Sequence, residues 1–349
     1  EKNKKAHEAL AKDLREVDDY VMQGGPERSR EKHHKRGKLL ARERIRGLLD
    51  EGAHFLEIGR QAAWQVYSDD VPSAGIVIGI IYALMAIGIT FIYSIMKMIN
   101  WSMGEYYMMG SYLQYFLVVY VLGARLWFLG IPLSMAVVFF IGMIVQRYLL
   151  RPMYVGEMER KDEYATVITI ASMVLFRNLA IFLVGPNQFA PPDYAAPTYI
   201  GPLPVSGNRF VALIGTIVIL ALFYLIVKKT WVGRALRGSS QNRVGIQTAG
   251  INILRVDQIA FGVGVSLAAA AGALLAPIFL VWPENGAVAT MKGFEIIVIG
   301  GLGSIPGSLV AGLLLGIVES LGSVFISPSF KDVYGFILVL VILVIRPTG

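Results

Sequence analysis

VPSAGIVIGIIYALMAIGITFIYSIM, residues 71–96, decides the fold: 26 consecutive residues without a charge lie between Asp70 and Lys97. About 20 predominantly apolar residues in helical geometry cross roughly 30 Å of hydrocarbon, so this stretch reads as a spanning helix. It is too long for the apolar region of a secretory signal, and further spans follow it. Uncharged runs recur at Tyr106 to Ala124, Leu126 to Gln146, Phe210 to Val227 and Gln258 to Pro283. Tyr164 to Gly185 is interrupted only by Arg177, and the apolar stretch Ile296 to Ile345 is broken by Glu319, Lys331 and Asp332. Runs that are continuously apolar, rather than alternating over about ten positions, disfavour a transmembrane β-barrel. The expected fold is an all-α polytopic membrane helix bundle of eight or nine membrane segments, some broken, with a short, mainly helical soluble segment at the N-terminus.

Charge is divided as sharply as hydropathy. Glu1 to Pro72 carry 15 Lys/Arg and 14 Asp/Glu, against 17 and 11 in the other 277 residues. A water-solvated segment, 1–72, joined to a membrane domain, 73–349, accounts for the contrast. Within 1–72, Ala6, Leu10, Leu14, Val17 and Val21 recur at helical spacing, Gly24-Gly25-Pro26 ends that helix, and a second is expected from Pro26 to Leu49. The net charge of +7 is explained by basic loops rather than by nucleic acid. With no cysteine in the chain, disulfides and thiolate chemistry are excluded. The four histidines, His7, His33, His34 and His54, lack metal-ligand spacing. No GxxxxGK[ST] loop, Gly-x-Ser-x-Gly elbow or dinucleotide fingerprint occurs, so neither ATP hydrolysis nor cofactor chemistry has a home in this chain.

The loops give orientation. Arg147, Arg151, Arg160 and Lys161 lie in one, and Lys228, Lys229, Arg234, Arg237, Arg243 and Arg255 in another, which places both on the cytoplasmic side. The intervening loop, Pro186 to Asn208, has no basic residue and is rich in proline, so it is expected outside. Asn100 to Gly110 either continues a span or dips in and returns, which leaves the side of the N-terminus open.

Three features bear on function. The long basic loop from Lys228 to Asp257 is a place for a cytoplasmic partner to dock, with Val244, Ile246, Ala249 and Ile251 expected to form the apolar face of a short helix. An interfacial loop held to anionic lipid by its arginines is the alternative. In GGLGSIPGSLVAGLLLGIVES, Gly300 to Ser320, the pairs Gly303/Gly307 and Gly312/Gly316 allow close helix approach. Pro306 beside Gly300, Gly301, Gly303, Ser304 and Gly307 predicts a broken helix facing protein or a water-filled path. Charges at membrane depth are costly, which singles out Glu105, Arg177, Glu295 and Glu319. Glu105, beside Gly104 and near Asn100, could meet the charged group of a substrate, whereas a structural role near a helix end suits Glu295 and Glu319 better.

These residues carry a resemblance. GIIYALMAIGITFIYSIMKMINWSMGEYYMMGSY (79–112), GRALRGSSQNR (233–243), AGINILRV (249–256), FEIIVIGGLGSIPGSLVAGLLLGIVES (294–320) and the terminal RPTG resemble the permease subunits of branched-chain amino acid ABC transporters. The resemblance implies a bacterial inner-membrane protein without a cofactor. Its implied partners are a second permease subunit, two cytoplasmic ATPase subunits and an extracytoplasmic amino-acid-binding protein. It makes Arg234, Arg237, Asn242, Arg243, Val244, Ile246, Gly250 and Ile251 the segment that meets the ATPase. Permeases for urea and other small solutes share the superfamily, so they are the alternative substrates. KHHKRGKLLARERIRGLLDEGAHFLEIG (32–59) and VPSAGIVIGI (71–80) instead resemble the opening of the carboxyltransferase β subunit of biotin-dependent acyl-CoA carboxylases. That chemistry needs a much larger crotonase-like fold with amides placed to stabilise an enolate. The chain turns into membrane helices before such a fold could form.

Overall fold

The computed structural model describes residues 27–35, 71–156, 159–196, 198–200, 203–325, 327 and 330–345. The chain divides into two units, Glu1–Asp70 and Val71–Gly349. In the first, the described residues form one helix, α1 (Glu27–Lys35), with Glu31 and Lys35 3.8 Å apart across a single turn. It falls within the helix expected from Pro26 to Leu49. The other N-terminal expectations, including the helix over Ala6 to Val21 and its Gly24-Gly25-Pro26 stop, lie outside the described residues, as does the terminal RPTG.

The second unit is a helix bundle. In chain order it comprises α2 (Val71–Met96), α3 (Met103–Phe116), α4 (Trp127–Val145), the short α5 (Pro152–Val155), α6 (Lys161–Val184) and α7 (Gly207–Lys229). Next come α8 (Trp231–Gln241), α9 (Arg243–Thr248), α10 (Ile253–Leu275), α11 (Asn285–Gly300), α12 (Ile305–Phe325) and α13 (Lys331–Ile345). The proline-rich loop before α7 holds a small antiparallel hairpin, β1 (Thr198–Ile200) with β2 (Leu203–Val205), and Phe189 bridges Val281. Two helices are extended by wider π-turns, α3 through Leu117–Leu122 and α4 through Gln146–Leu150.

Helix α10 is the axis of the bundle. Its run Leu267 to Leu275 is buried all round, and most of these residues are alanine or glycine, so neighbouring backbones come close. A Cβ on Gly272 would collide with the carbonyl of Tyr107, one on Gly110 with Ala269, and Gly88 faces Gly264 in the same way. The Gly312/Gly316 pair expected at a helix interface has an unforeseen counterpart: Gly75 and Gly79 of α2, also four apart, lie against Gly316 and Gly312. A Cβ on Gly79 would come within 2.7 Å of the Gly312 oxygen, so the two helices meet backbone to backbone.

The outward faces are apolar. Phe182 and Phe325 are 84% and 81% exposed, and α6, α7, α12 and α13 all turn large aliphatic side chains outward. Such a surface is tolerated where the solvent is lipid. Six helices among the described residues have the length and composition to cross a membrane: Val77–Met96, Ala124–Leu150, Lys161–Val184, Gly207–Lys229, Ile253–Leu275 and Ile305–Phe325. Three others, α3, α11 and α13, have only 14, 16 and 15 residues. Against the eight or nine segments expected from sequence, six helices among the described residues have the length and composition of a span.

Candidate coupling and translocation sites

The basic segment between α7 and α10 is a chain of capped short helices. Thr230 Oγ1 accepts the Gly233 amide at 3.0 Å to start α8, Asn242 Oδ1 accepts Gly245 N at 2.8 Å to start α9, and Asn252 Oδ1 accepts Arg255 N at 3.2 Å to start α10. Helix α9 ends with Gly250 at φ 79°, its amide bonded to the Gln247 carbonyl and the Ile251 amide to that of Ile246. This paired closure stops a helix sharply and favours glycine at the left-handed position. Arg234 and Arg237 are exposed, as are Asn242 and Val244. The expected apolar face on α9 does not form. Val244 points outward, Ala249 is exposed, Ile246 packs over Gly238, and Ile251 turns back onto the core because the Gly250 turn reverses the chain.

Arg243 ties this segment to the bundle. Its Nη1 donates to the Ile95 carbonyl at 2.9 Å, its Nη2 pairs with the fully buried Asp257 of α10, and its guanidinium lies 4.9 Å from the centre of the Tyr154 ring. Tyr154 in turn donates to the Met96 carbonyl at 2.9 Å. Burial pushes the Tyr154 hydroxyl above its ordinary range, Asp257 adds to this and Arg243 opposes it, so the group stays a donor. Thus α9 grips the last turn of α2, where helical carbonyls have no partner within the helix, and the second turn of α10. The sequence reading placed Arg243 here but missed Asp257 and Tyr154.

Beyond Met96 the helix breaks. Lys97 adopts φ 55°, residues 97–102 are non-helical, and Asn100, fully buried, accepts the amide of Ser102 at 3.1 Å and its hydroxyl at 2.7 Å. Asn100 to Gly110 therefore does not continue α2. The path climbs along α11: Gly303, just past the end of α11, lies by Ser94, Trp101 packs on Phe294 at 4.7 Å, and the Gly104 amide donates to Thr290 Oγ1 at 3.0 Å. Gly104 and Gly286 touch so closely that a Cβ on either would overlap the other's backbone. Glu105 follows in the first turn of α3, buried, with Oε2 lacking any hydrogen-bond partner.

The second break joins α11 to α12 through Gly301 and Gly303, at φ 85° and 88°. Gly300 and Gly307 touch, and Ser304 Oγ accepts the Gly307 amide at 3.1 Å. The structure thus does not unite the two predicted groups: Gly104 meets Gly286 at one end of α11 and Gly300 to Gly307 close the other, about 20 Å apart along the helix. Arg177 pairs with Glu284 at 2.5 Å, both side chains about 40% exposed, an exchange worth roughly 0–1 kcal/mol.

Sequence reading overlooked Lys292. Buried on α11, its ammonium lies 2.6 Å from Glu319, 3.2 Å from Glu295 and 3.0 Å from Asp332. Lys331 adds a second ammonium 3.6 Å from Glu319. Three helices are pinned by this cluster, and the Lys292/Glu295 spacing of three, characteristic of helical ion pairs, was the available signal. Glu295 and Glu319 are both held in this cluster. Lys292 also borders a largely apolar cavity of about 200 Å³, shared with Tyr82, Met85, Tyr107, Leu275 and Asn285.

A helix bundle with an apolar girdle, buried charges at depth and a capped basic bracket at one face defines a multi-pass membrane transport protein. The chain belongs to the branched-chain amino acid transport system permease component family, whose profile matches residues 71–345. It is similar to the high-affinity branched-chain amino acid transport system permease protein LivH of Salmonella typhimurium, 33% identical over 293 residues, covering 79% of this chain and 92% of that one. The protein BraD of Pseudomonas aeruginosa, described in the same words, is 30% identical over 295 residues, 79% of this chain and 92% of its own. The N-terminal stretch is similar to the biotin-dependent 3-methylcrotonyl-coenzyme A carboxylase beta1 subunit of Mycobacterium tuberculosis, 54% identical over 57 residues, 16% of this chain and 11% of that protein. No solved structure matches the chain.

Proposed function

We propose that this chain is the transmembrane subunit of an ABC importer of the bacterial inner membrane that translocates branched-chain amino acids. A second permease subunit, two cytoplasmic ATPase subunits and an extracytoplasmic amino-acid-binding protein complete it, and the chain itself carries no ATPase motif or cofactor. The three short helices α3, α11 and α13 count as membrane segments beside the six long ones, which gives nine. Residues 1–72 form a separate segment that takes no part in transport.

The observation that carries this reading is Arg243, which links the capped bracket to α2 and α10 at once. A push on α8 and α9 then moves both helices, and two-state contacts of this kind let ATP hydrolysis elsewhere open the path alternately. Beyond α2 lies the break around the buried Asn100, which leads to Gly104 and Glu105. These residues border the path, and the break between Gly300 and Gly307 is its second flexible point. The test is ATP-dependent uptake of radiolabelled leucine by vesicles containing this chain with its neighbouring transporter subunits. Arg243→Lys keeps the charge but loses the planar fork. Uptake should fall about tenfold, the worth of one charge-assisted hydrogen bond, while ATP hydrolysis continues. A chain beginning at Val71 should transport as well as the whole. Uptake of urea with none of leucine, isoleucine or valine would sink the substrate assignment, and unchanged uptake by the Lys variant would remove Arg243 from coupling.

A further inference from the structure

At the basic-loop end of α4 the helix widens into the π-turn Gln146–Leu150, and the Arg151 amide reaches back five residues to the Gln146 carbonyl at 2.8 Å. Such widenings spread side chains that a regular helix would stack, and they are frequent at functional sites. Here Arg147 and Arg151 border, together with Arg255 of α10, a cavity of about 240 Å³ that also touches Gln146, Asn252 and Gln258. No acidic side chain lines it. None of the three arginines pairs with a carboxylate among the described residues, and the contact recorded for Arg147 is with the neighbouring Tyr148 ring at 5.9 Å.

A second, independent observation concerns Gln146. It is 1% exposed and its Nε2 has no hydrogen-bond partner. The other two amides are engaged, Gln258 donating to the Met143 carbonyl at 3.2 Å and Asn252 capping α10. Three like charges with no counter-charge around a polar cavity, plus a buried donor without an acceptor, call for an anion with several acceptor oxygens. What lies beside the cavity selects the kind of anion. Phe140 and Ile144 of α4 and Tyr148 of the π-turn that extends it are 62%, 57% and 68% exposed and form one apolar stripe ending at Arg147 and Arg151. A stripe of this kind receives an acyl chain, and its aromatic end falls where headgroups lie.

We propose that this pocket binds the phosphate headgroup of an anionic lipid of the inner leaflet, its acyl chain lying along Phe140, Ile144 and Tyr148. Basic pockets between helices on the cytoplasmic side suit such headgroups. Because Asn252 caps α10 directly after the Gly250 turn, an occupied pocket would also steady the end of the coupling bracket.

The test uses the full chain, purified in neutral detergent and exposed to phosphatidylglycerol, phosphatidylcholine or inorganic phosphate, with retained lipid counted by native mass spectrometry. Phosphatidylglycerol should be retained over phosphatidylcholine. Each of Arg147→Gln, Arg151→Gln and Arg255→Gln should lower its retention about fivefold, the worth of one basic residue near an anionic headgroup. Gln146→Met should weaken retention without changing charge, and Arg160→Gln, an equal charge loss elsewhere on the same face, should leave it unchanged. Equal retention of both lipids, or a preference insensitive to the three arginines, overturns the proposal. Displacement of the lipid by millimolar inorganic phosphate would assign the pocket to a soluble anion and overturn the lipid source.

Discussion

Two breaks in the helical chain, one between α2 and α3 and one between α11 and α12, are built differently. The one at Lys97 to Ser102 turns Lys97 and Trp101 outward but buries Met98, Asn100 and Ser102: the Asn100 side chain bonds Ser102 in place of helical partners, and Glu105 just beyond has an Oε2 without a hydrogen-bond partner. The one at Gly301 to Ser304 is a tight turn with Leu302 47% exposed, closed by two glycines in the left-handed region and a serine cap. A break that ends in solvent or headgroups is only a corner. A break held inside the bundle keeps polar groups at a depth where they need partners, so it is the place where a polar solute can be met. Both were placed on the path from sequence; in the function proposed above the first, with its buried polar groups, is the point of substrate contact and the second a joint.

Substitutions should separate the two. The largest effect is expected at Gly104, which shares its contact surface with the backbone of Gly286. Gly104→Val forces α3 off α11 and strips the Gly104 amide of Thr290. Overpacking of this kind costs about 1–3 kcal/mol or more, and both thermal stability in detergent and leucine uptake should drop sharply. Retention of both would show that the contact between Gly104 and Gly286 is loosely packed. Glu105→Gln should behave otherwise. Removing a desolvated charge leaves stability equal or slightly higher, since an ion at this depth costs about 2.5–3.5 kcal/mol. Uptake should nevertheless fall by about tenfold, the worth of one charge-assisted contact. Unchanged uptake and assembly in this variant would end the case for Glu105 as a substrate contact.

How far the sequence could be read depended on which residues marked each feature. The spans were legible because charge-free runs such as 71–96 have one cheap solvent. The second break was legible too, since Gly300, Gly301, Gly303, Pro306 and Gly307 punctuate a helix whatever surrounds it. The first break was left open, because NWSMGE contains no proline and its outcome depends on Asn100 capping its own neighbours and on Lys97 accepting a positive φ. Lys292 was missed for a related reason. In ATMKGFE the lysine shows only a local partner, Glu295, until Glu319 and Asp332, 27 and 40 residues away, fold around it. The face expected on α9 failed at Gly250, where a turn sends Ile251 inward and leaves Val244 outside. Local signals fixed what is local, and pairings between helices had to wait for the structure.

The smallest expected effect tests the other half of the comparison. At Gly303 an added Cβ would meet nothing nearer than 3.6 Å, the Tyr93 ring, so Gly303→Ala is not opposed by crowding. Its cost is conformational, because φ is 88° and an L side chain is strained there; the penalty should be about 1–2 kcal/mol. Thermal unfolding of the purified chain should shift down accordingly, while leucine uptake per correctly inserted molecule stays within about twofold, a change under 0.5 kcal/mol. If uptake instead collapses although stability moves by only this amount, the exposed turn is itself part of the moving path, and the distinction between a buried contact point and an outer joint fails.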